Sequence, residues 1–392
     1  MEGWEETTLE KCVSVLGDGL HGTPKYTADG EYAFINGNNL CEGKIIIKPD
    51  TKRVDRNEYE KHKKPLNERT VLVSINGTLG NVGTYHGEKV ILGKSACYFN
   101  VLETVDKDFI KYIVSTPYFK KHLEANATGT TIKNFSLKQM REYKFLIPPL
   151  EEQIKISSFL SLLDQQIEVY ESINSNLLSQ GETVFREVYC KGEDAILEQL
   201  IEAVETGTRP KGGAESSGIP SIGAEKIERF GIYDYEGEKY ISEEFFDNMK
   251  RGIVSSGDVL LYKDGAYTGK VSMALDDFPH KLCAVNEHVF ILRTPQKSMQ
   301  FYLYFCLSRE DIKKKVFAIA SGKAAQPGLN KKELMGVDIK LPPIGEIKAF
   351  EDTISPLMHL VAKNAMLIKS LRAEKNSLLQ KIMTGDIDVS SL

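Results

Sequence analysis

The sequence has no excess of positive charge. Its 50 lysines and arginines face 55 aspartates and glutamates, a net charge of -5 over 392 residues. Bulk attraction to a polyanion follows net charge, so any hold on nucleic acid must rest on local basic loops or on a basic partner. No apolar run approaches the ~20 residues that cross a bilayer. The opening MEGWEETTLEKC is acidic and lacks the basic and apolar segments of a secretory leader. Cys12, Cys41, Cys97, Cys190, Cys283 and Cys306 are scattered, with no C-x-x-C pair. That argues against a zinc ribbon and fits a reducing compartment. A cytoplasmic chain, with no membrane among its partners, is expected.

Catalytic signatures are also scarce. No G-x-S-x-G nucleophile elbow occurs. The stretch GAYTGKV (265–271) is one residue short of a phosphate-binding P-loop and has Val271 where Ser or Thr should hold magnesium. His280, Cys283 and His288 have a spacing that matches no standard zinc site. IPPL and LPPI lack the polar residue before Pro-Pro and the aromatic after it that amino-methyltransferase loops use. Neighbours such as Glu42 with Lys44, or Glu225 with Lys226, are expected by chance in so charged a chain. No catalytic residue and no metal ligand is assigned.

What is present is a repeat. LIPPLEEQI at 146–154 is matched by KLPPIGEIK at 340–348, an offset of 194 residues. Proline forces the residue before it into extended geometry, so Ile147 and Leu341 should end strands. Proline is tolerated in a first helical turn, and Glu151, Glu152 and Glu346 would sit near the positive end of a helix dipole. The same offset pairs Ile156 with Phe350, Leu160 with Ile354, Leu163 with Leu357, Ile167 with Val361, Ile173 with Leu367 and Val188 with Ile382. A period this long is an internal duplication.

Each copy predicts a long helix, over 150 to about 190 and 344 to about 384. Apolar residues recur by threes and fours (Ile156, Leu160, Leu163, Ile167, Tyr170, Ile173, Leu177 in the first), the narrow seam of a coiled coil. Gly181 should weaken the first helix, and Pro356, after the potential cap Ser355, should break or kink the second. A helix of some 35 residues spans roughly 50 Å. Two of them, antiparallel, would make a rod that acts as a ruler between two globular parts.

The globular parts mix short strands with turn signals. VLVSINGTLGNVG is echoed by VLLYKDGAYTGKVS, Gly22-Thr23-Pro24-Lys25 by Gly207-Thr208-Arg209-Pro210-Lys211, and ATGTTIKNFSLKQM by ASGKAAQPGLNKKEL. Glycines, strand apolars and the expected helix caps Ser136 and Asn330 match, while the polar residues between them differ. Divergent loops on one scaffold suit two modules with different targets. Asparagine amides and basic forks can read base edges, and Gly77, Gly80, Gly265 and Gly269 would let backbone approach a phosphate. The candidate DNA contacts are Thr23, Lys25, Asn36, Asn38, Asn39, Asn76, Thr78, Asn81 and Lys133 in the first module. In the second they are Thr208, Arg209, Lys211, Lys226, Lys263, Tyr267, Lys270 and Lys323.

The duplicated order of TTIKNFSLKQMREYKFLIPPLEEQ and AAQPGLNKKELMGVDIKLPPIGEIK, closing on LLQKIMTGDIDV, resembles the specificity (S) subunit of type I restriction–modification enzymes over essentially the whole chain. The resemblance implies an α+β fold: two similar mixed α/β target-recognition domains (1–149 and 193–341) joined by two long helices forming an antiparallel coiled coil. The helices lie in a central (150–192) and a C-terminal (342–392) conserved region. It implies a non-catalytic subunit that reads an asymmetric bipartite site on double-stranded DNA, one domain per half-site. Implied partners are methyltransferase (M) subunits, two of them, docked on the helices, and restriction (R) subunits. This chain would bind no cofactor, with S-adenosylmethionine, ATP and magnesium held by those partners. The second copy departs from the acid-Gln pair after Pro-Pro. A coiled-coil adaptor that binds protein only, and a stand-alone DNA methyltransferase or nuclease, are the alternatives. A salt-dependent gel shift with partner subunits tests the first, and a cofactor-binding assay tests the second.

Overall fold

A computed structural model of the chain describes residues 3–129, 133–322 and 328–386. The chain forms two compact units, Met1–Gln165 with Arg372–Leu392, and Gln166–Leu371. Among the described residues no helix is long and apolar enough to cross a membrane.

In the first unit a four-stranded antiparallel sheet runs in the order Val13–Asp18, Ala96–Val101, Thr70–Ser74, Val82–Thr84. A three-stranded sheet places Tyr32–Ile35 between Arg53–Val54, antiparallel, and Val90–Leu92, parallel. Glu5–Thr8 pairs with Lys144–Ile147. The second unit repeats every one of these pairings. Its four-stranded sheet runs Ala203–Thr206, Val289–Arg293, Val259–Tyr262, Val271–Met273. Ile219–Ile222 lies between Tyr240–Ile241, antiparallel, and Ala284–Val285, parallel. Glu193–Ile196 pairs with Asp338–Leu341. The inner strands Thr70–Ser74 and Val259–Tyr262 each carry a buried apolar run, Val71 to Val73 and Val259 to Leu261, as strands covered on both faces do.

The Pro-Pro punctuation does what its chemistry requires. Strands end at Ile147 and Leu341, and helices Leu150–Tyr189 and Ile344–Thr384 begin directly after Pro149 and Pro343. The second prolines stand just outside the first turn rather than in it. Their carbonyls accept from Glu152 (2.9 Å) and Gln153 (3.0 Å), and from Glu346 (2.9 Å) and Ile347 (3.2 Å), which starts each helix.

Within each unit the two long helices run antiparallel. In the second unit Asn174 meets Asn364, while Phe185, further along the first helix, stacks near Phe350, earlier in the second. In the first unit Lys375 forms an ion pair with Asp164, and Leu379 and Ile382 enter the core that holds Ile156 and Leu160. In the first helix the seam departs from the expected one after Ile167, where Asn174 and Leu178 are buried in place of Ile173 and Leu177. Asn174 lies seven residues on from Ile167, and Ile173 is left 37% exposed. A seven-residue step keeps to the 3.5-residue seam; a six-residue step leaves it.

Both helix blemishes resolve. Gly181 is buried, and a Cβ there would lie 2.6 Å from Cζ of Phe305, so the glycine admits that ring. Helix Ile344–Thr384 is not broken at Pro356. Pro356 and Asp352, whose carbonyl loses its helical donor, are both exposed, while Ile354 and Met358 on either side are buried in the core. Packing of that apolar face outweighs one lost hydrogen bond.

The altered sequence after the second Pro-Pro also has a structural counterpart. Gln153, buried, accepts from the backbone N–H of Asp106 (2.9 Å) and donates to the Pro148 carbonyl (2.8 Å). It thereby ties the first long helix to the start of helix Lys107–Ser115. Ile347 stands at that position in the second copy. There the tie is Glu351, one turn later, which accepts from the N–H of Tyr302 (2.7 Å) in the first turn of Gln300–Ser308. Burial pushes the Glu351 carboxyl up to about 8.

Candidate nucleic-acid interface

In the first unit three segments meet where strand Thr70–Ser74 ends: the turn Gly37–Asn39, the loop 75–81, and residues 133–135. Asn81 donates to the Gly37 carbonyl (3.1 Å), and its backbone N–H to Ser74 Oγ (2.8 Å). Asn76 donates to Asn134 (3.0 Å), Gly77 N–H to the Lys133 carbonyl (3.0 Å), and Phe135 N–H to the Ile75 carbonyl (2.8 Å). Ser95 bridges to Asn36 Oδ1 (3.0 Å), and Asn39 Oδ1 accepts from the Asn36 backbone (3.0 Å). Gly77 and Gly80 both have positive φ (76° and 82°), which lets so short a loop reverse.

The second unit builds the equivalent junction from charged groups. Lys263 accepts at its carbonyl from Leu329 N–H (3.0 Å), and Asp264 pairs with Gly328 as an isolated bridge. Lys263 forms an ion pair with Asp264 (2.7 Å), and His288 Nδ1 lies 3.2 Å from the same carboxylate. Glu287 Oε1 faces His288 Nε2 at 3.5 Å and Arg209 Nε at 3.6 Å. Gly265 and Gly269 again have positive φ, 131° and 98°. Between them Thr268 donates to the Gly265 carbonyl (2.7 Å), and Lys270 pairs with Glu228 and lies over the Tyr267 ring. This segment joins strand Val259–Tyr262 to strand Val271–Met273, so it is a hairpin loop and not the strand-to-helix turn of a P-loop.

The expected contact residues fall into three sets. Thr23, Lys25, Asn38, Thr78, Lys133, Arg209, Lys211 and Tyr267 are exposed. Asn36, Asn76, Asn81, Thr208, Lys263 and Lys270 are half-buried, and all but Thr208 have the loop partners given above. Asn39 and Lys226 are buried: Asn39 holds its own turn, and Lys226 pairs with Asp234 (3.1 Å). Lys323 lies outside the described residues. Lys25 also uses its backbone, whose N–H donates to Glu58 (3.0 Å) and holds that carboxyl below its usual value.

Sequence reasoning missed Ser95, Asn134, Asp264, Glu287 and His288. Asn134 and Asp264 stood inside the matched loop stretches, whereas Ser95, Glu287 and His288 had no local pattern. His280, Cys283 and His288 do not gather: His280 faces Glu238 (2.6 Å), and no metal-holding group of three His, Cys, Asp or Glu occurs among the described residues. A cleft of about 610 Å³ in the second unit is lined by Lys270, Arg229 and Arg309. These cations are already matched by Glu228, Glu182 and Asp311.

Two units of one topology, carrying polar loop clusters of different chemistry, define a modular reader with two recognition surfaces. The type I restriction modification DNA specificity domain matches residues 1–179 and again 195–371. The chain belongs to this family and is a specificity subunit of a type I restriction–modification system, with two target-recognition domains. It is similar to the type I restriction enzyme MjaIX specificity subunit of Methanocaldococcus jannaschii, at 22% identity over 94% of this chain and 87% of the relative. It is also 24% identical to the putative type I restriction enzyme MjaX specificity subunit of the same organism, over 100% of this chain and 95% of that one. The crystal structure of the type I system S subunit from M. genitalium shares the fold, with a TM-score of 0.58 at 16% identity, covering 97% and 96% of the two chains.

Proposed function

We propose that residues 1–149 and 193–341 read two different half-sites of one asymmetric sequence on double-stranded DNA. The observation that carries this reading is one scaffold repeated with unlike outward side chains. Asn38, Thr78 and Lys133 are exposed in the first unit; Arg209, Lys211 and Tyr267 are exposed in the second. Amides suit adenine and basic forks suit guanine, so the two surfaces favour different bases.

In this reading the chain itself performs no chemistry. Methyl transfer and cleavage, with S-adenosylmethionine, ATP and magnesium, belong to two methyltransferase subunits and to restriction subunits. The methyltransferase subunits dock on the long helices. Exposed apolar residues there support this: Leu162 (50%), Val169 (56%) and Ile173 (37%) on one helix, Leu360 (41%) and Leu367 (38%) on the other. Spaced by sevens and fours, they line up along each helix, as residues of a covered face do.

The test is a domain exchange. Residues 1–147 are replaced by the first domain of another family member, the complex is assembled, and methylated bases are mapped. One half of the site should change and the other persist. Change in both halves, or methyl transfer by the isolated chain, would overturn the reading.

A further inference from the structure

We propose that Arg209 reads a guanine in the half-site of the second unit, and that Glu287 is the positioning residue that aims its guanidinium. This rests on reading that unit as a DNA-recognition module.

The backbone launching Arg209 is tightly packed. Gly207 follows strand Ala203–Thr206, and a Cβ there would lie 1.5 Å from the Val285 carbonyl oxygen. Gly252, whose carbonyl accepts from Val285 N–H, packs there too: its own Cβ would come within 2.5 Å of Gly207 Cα. No other residue fits at 207, so the base of the loop cannot drift. Pro210 follows Arg209 and confines it to extended geometry.

The side chain is aimed as well. Glu287 Oε1 faces Arg209 at Nε, 3.6 Å away. Arg209 is exposed, and neither terminal nitrogen, Nη1 or Nη2, makes a hydrogen bond among the described residues. Those two nitrogens form the planar fork that matches a pair of acceptors. Glu287 has little freedom to turn aside: Oε2 is shut off from solvent with no partner among the described residues, and Oε1 also faces His288. The neighbouring cation Lys263 is occupied by Asp264.

The same carboxylate decides between base and backbone. A phosphate at the fork would sit beside Glu287 and be repelled by it. Guanine offers O6 and N7, two uncharged acceptors in the major groove, the commonest partner of such a fork. In the first unit the matching stretch, Gly22-Thr23-Pro24-Lys25, contains no arginine, so this contact belongs to one half-site only.

The experiment uses the chain assembled with its methyltransferase subunits and a DNA library randomised over both half-sites, read by methylation. Arg209→Ala should lose a roughly ten- to hundredfold preference for guanine at one position and keep every other position. Arg209→Lys, which keeps the charge but not the fork, should relax the same position. Glu287→Gln should relax it less. Three results overturn the proposal. One is an unchanged motif with uniformly weaker binding and a salt slope lower by about one, the mark of a phosphate contact. Another is full guanine preference in Arg209→Lys, and the third is relaxation spread over both halves. Failure of the parent reading shows separately, as a wild-type motif whose halves do not follow the two domains.

Discussion

Asn364 donates its side-chain amide to the side-chain oxygen of Asn174 at 2.9 Å, and both residues are buried, at 3% and 6% exposure. Asn174 also donates to the Val361 carbonyl at 3.2 Å. The pair occupies a seam that is otherwise mostly apolar. A polar pair at one seam position is satisfied in only one register, so it selects that register at some expense of stability. Asn174→Leu alone strands the Asn364 amide and should cost about 1–3 kcal/mol, the expense of an unsatisfied buried group. The double replacement, Asn174→Leu with Asn364→Leu, should recover most of that loss. Urea unfolding of wild type and both variants tests it; an Asn174→Leu variant as stable as wild type would mean the amides hold nothing in place.

Gly181 gives a prediction opposed to simple propensity. Alanine should favour a helix over glycine by roughly 1 kcal/mol. Here the added methyl would lie 2.6 Å from Cζ of Phe305, a buried ring packed with Phe185 and Phe350. Overpacking of this kind costs about 1–3 kcal/mol. Gly181→Ala should therefore lower the thermal midpoint, and a rise would show that the ring yields freely.

Glu351 should make stability depend on pH in an unusual direction. Burial raises its carboxyl from 4.5 to about 8, partly offset by the N–H groups of Tyr302 and Phe301 that favour the anion. A carboxyl raised on folding contributes stability fully present below its unfolded value, lost as pH climbs through its folded value. Glu351→Gln keeps an acceptor toward Tyr302 and has no proton to lose. Wild type and variant should melt together near about pH 5, and wild type should fall behind as pH approaches roughly 9. A constant gap over that range would contradict the titration.

Adjacent asparagines in the first unit should behave differently. Asn38 is exposed, whereas Asn39 is 5% exposed and donates inside its loop to the Ile46 carbonyl (3.0 Å). Asn38→Ala should relax one position of one half-site. Asn39→Ala should lower methylation at all sequences by loosening the loop. Motif mapping of both variants separates the two roles, and matching phenotypes would refute the distinction.

Residues whose work is local were legible from sequence. Ile147 and Leu341 end strands because proline follows them. Ser136 and Asn330 cap helices with their own side chains, as the matched segments suggested. Residues whose work depends on a distant partner were not. Gly181 reads as a weak point until Phe305 is placed beside it. Pro356 reads as a break until its exposure is known. Glu351 carries out, one turn later, the tie that Gln153 makes, and no alignment of the two copies would pair them. In the candidate interface the glycine turns were legible, because positive φ leaves a mark in composition. Glu287 was not, since a carboxylate 78 residues from Arg209 in sequence leaves none.

The antiparallel pairing constrains how this chain can change over generations. In the second unit Asn174 meets Asn364, and Phe185 meets Phe350. Each pair of numbers adds to nearly the same total, as two antiparallel strips require. An insertion between positions 174 and 185 of one helix alone would force one of these pairs out of step. Only an equal insertion between 350 and 364 restores both. Gains and losses in the two helices should therefore arise in matched lengths across descendants, while the loops around Asn38 and Arg209, bound by no such sum, are free to vary one at a time.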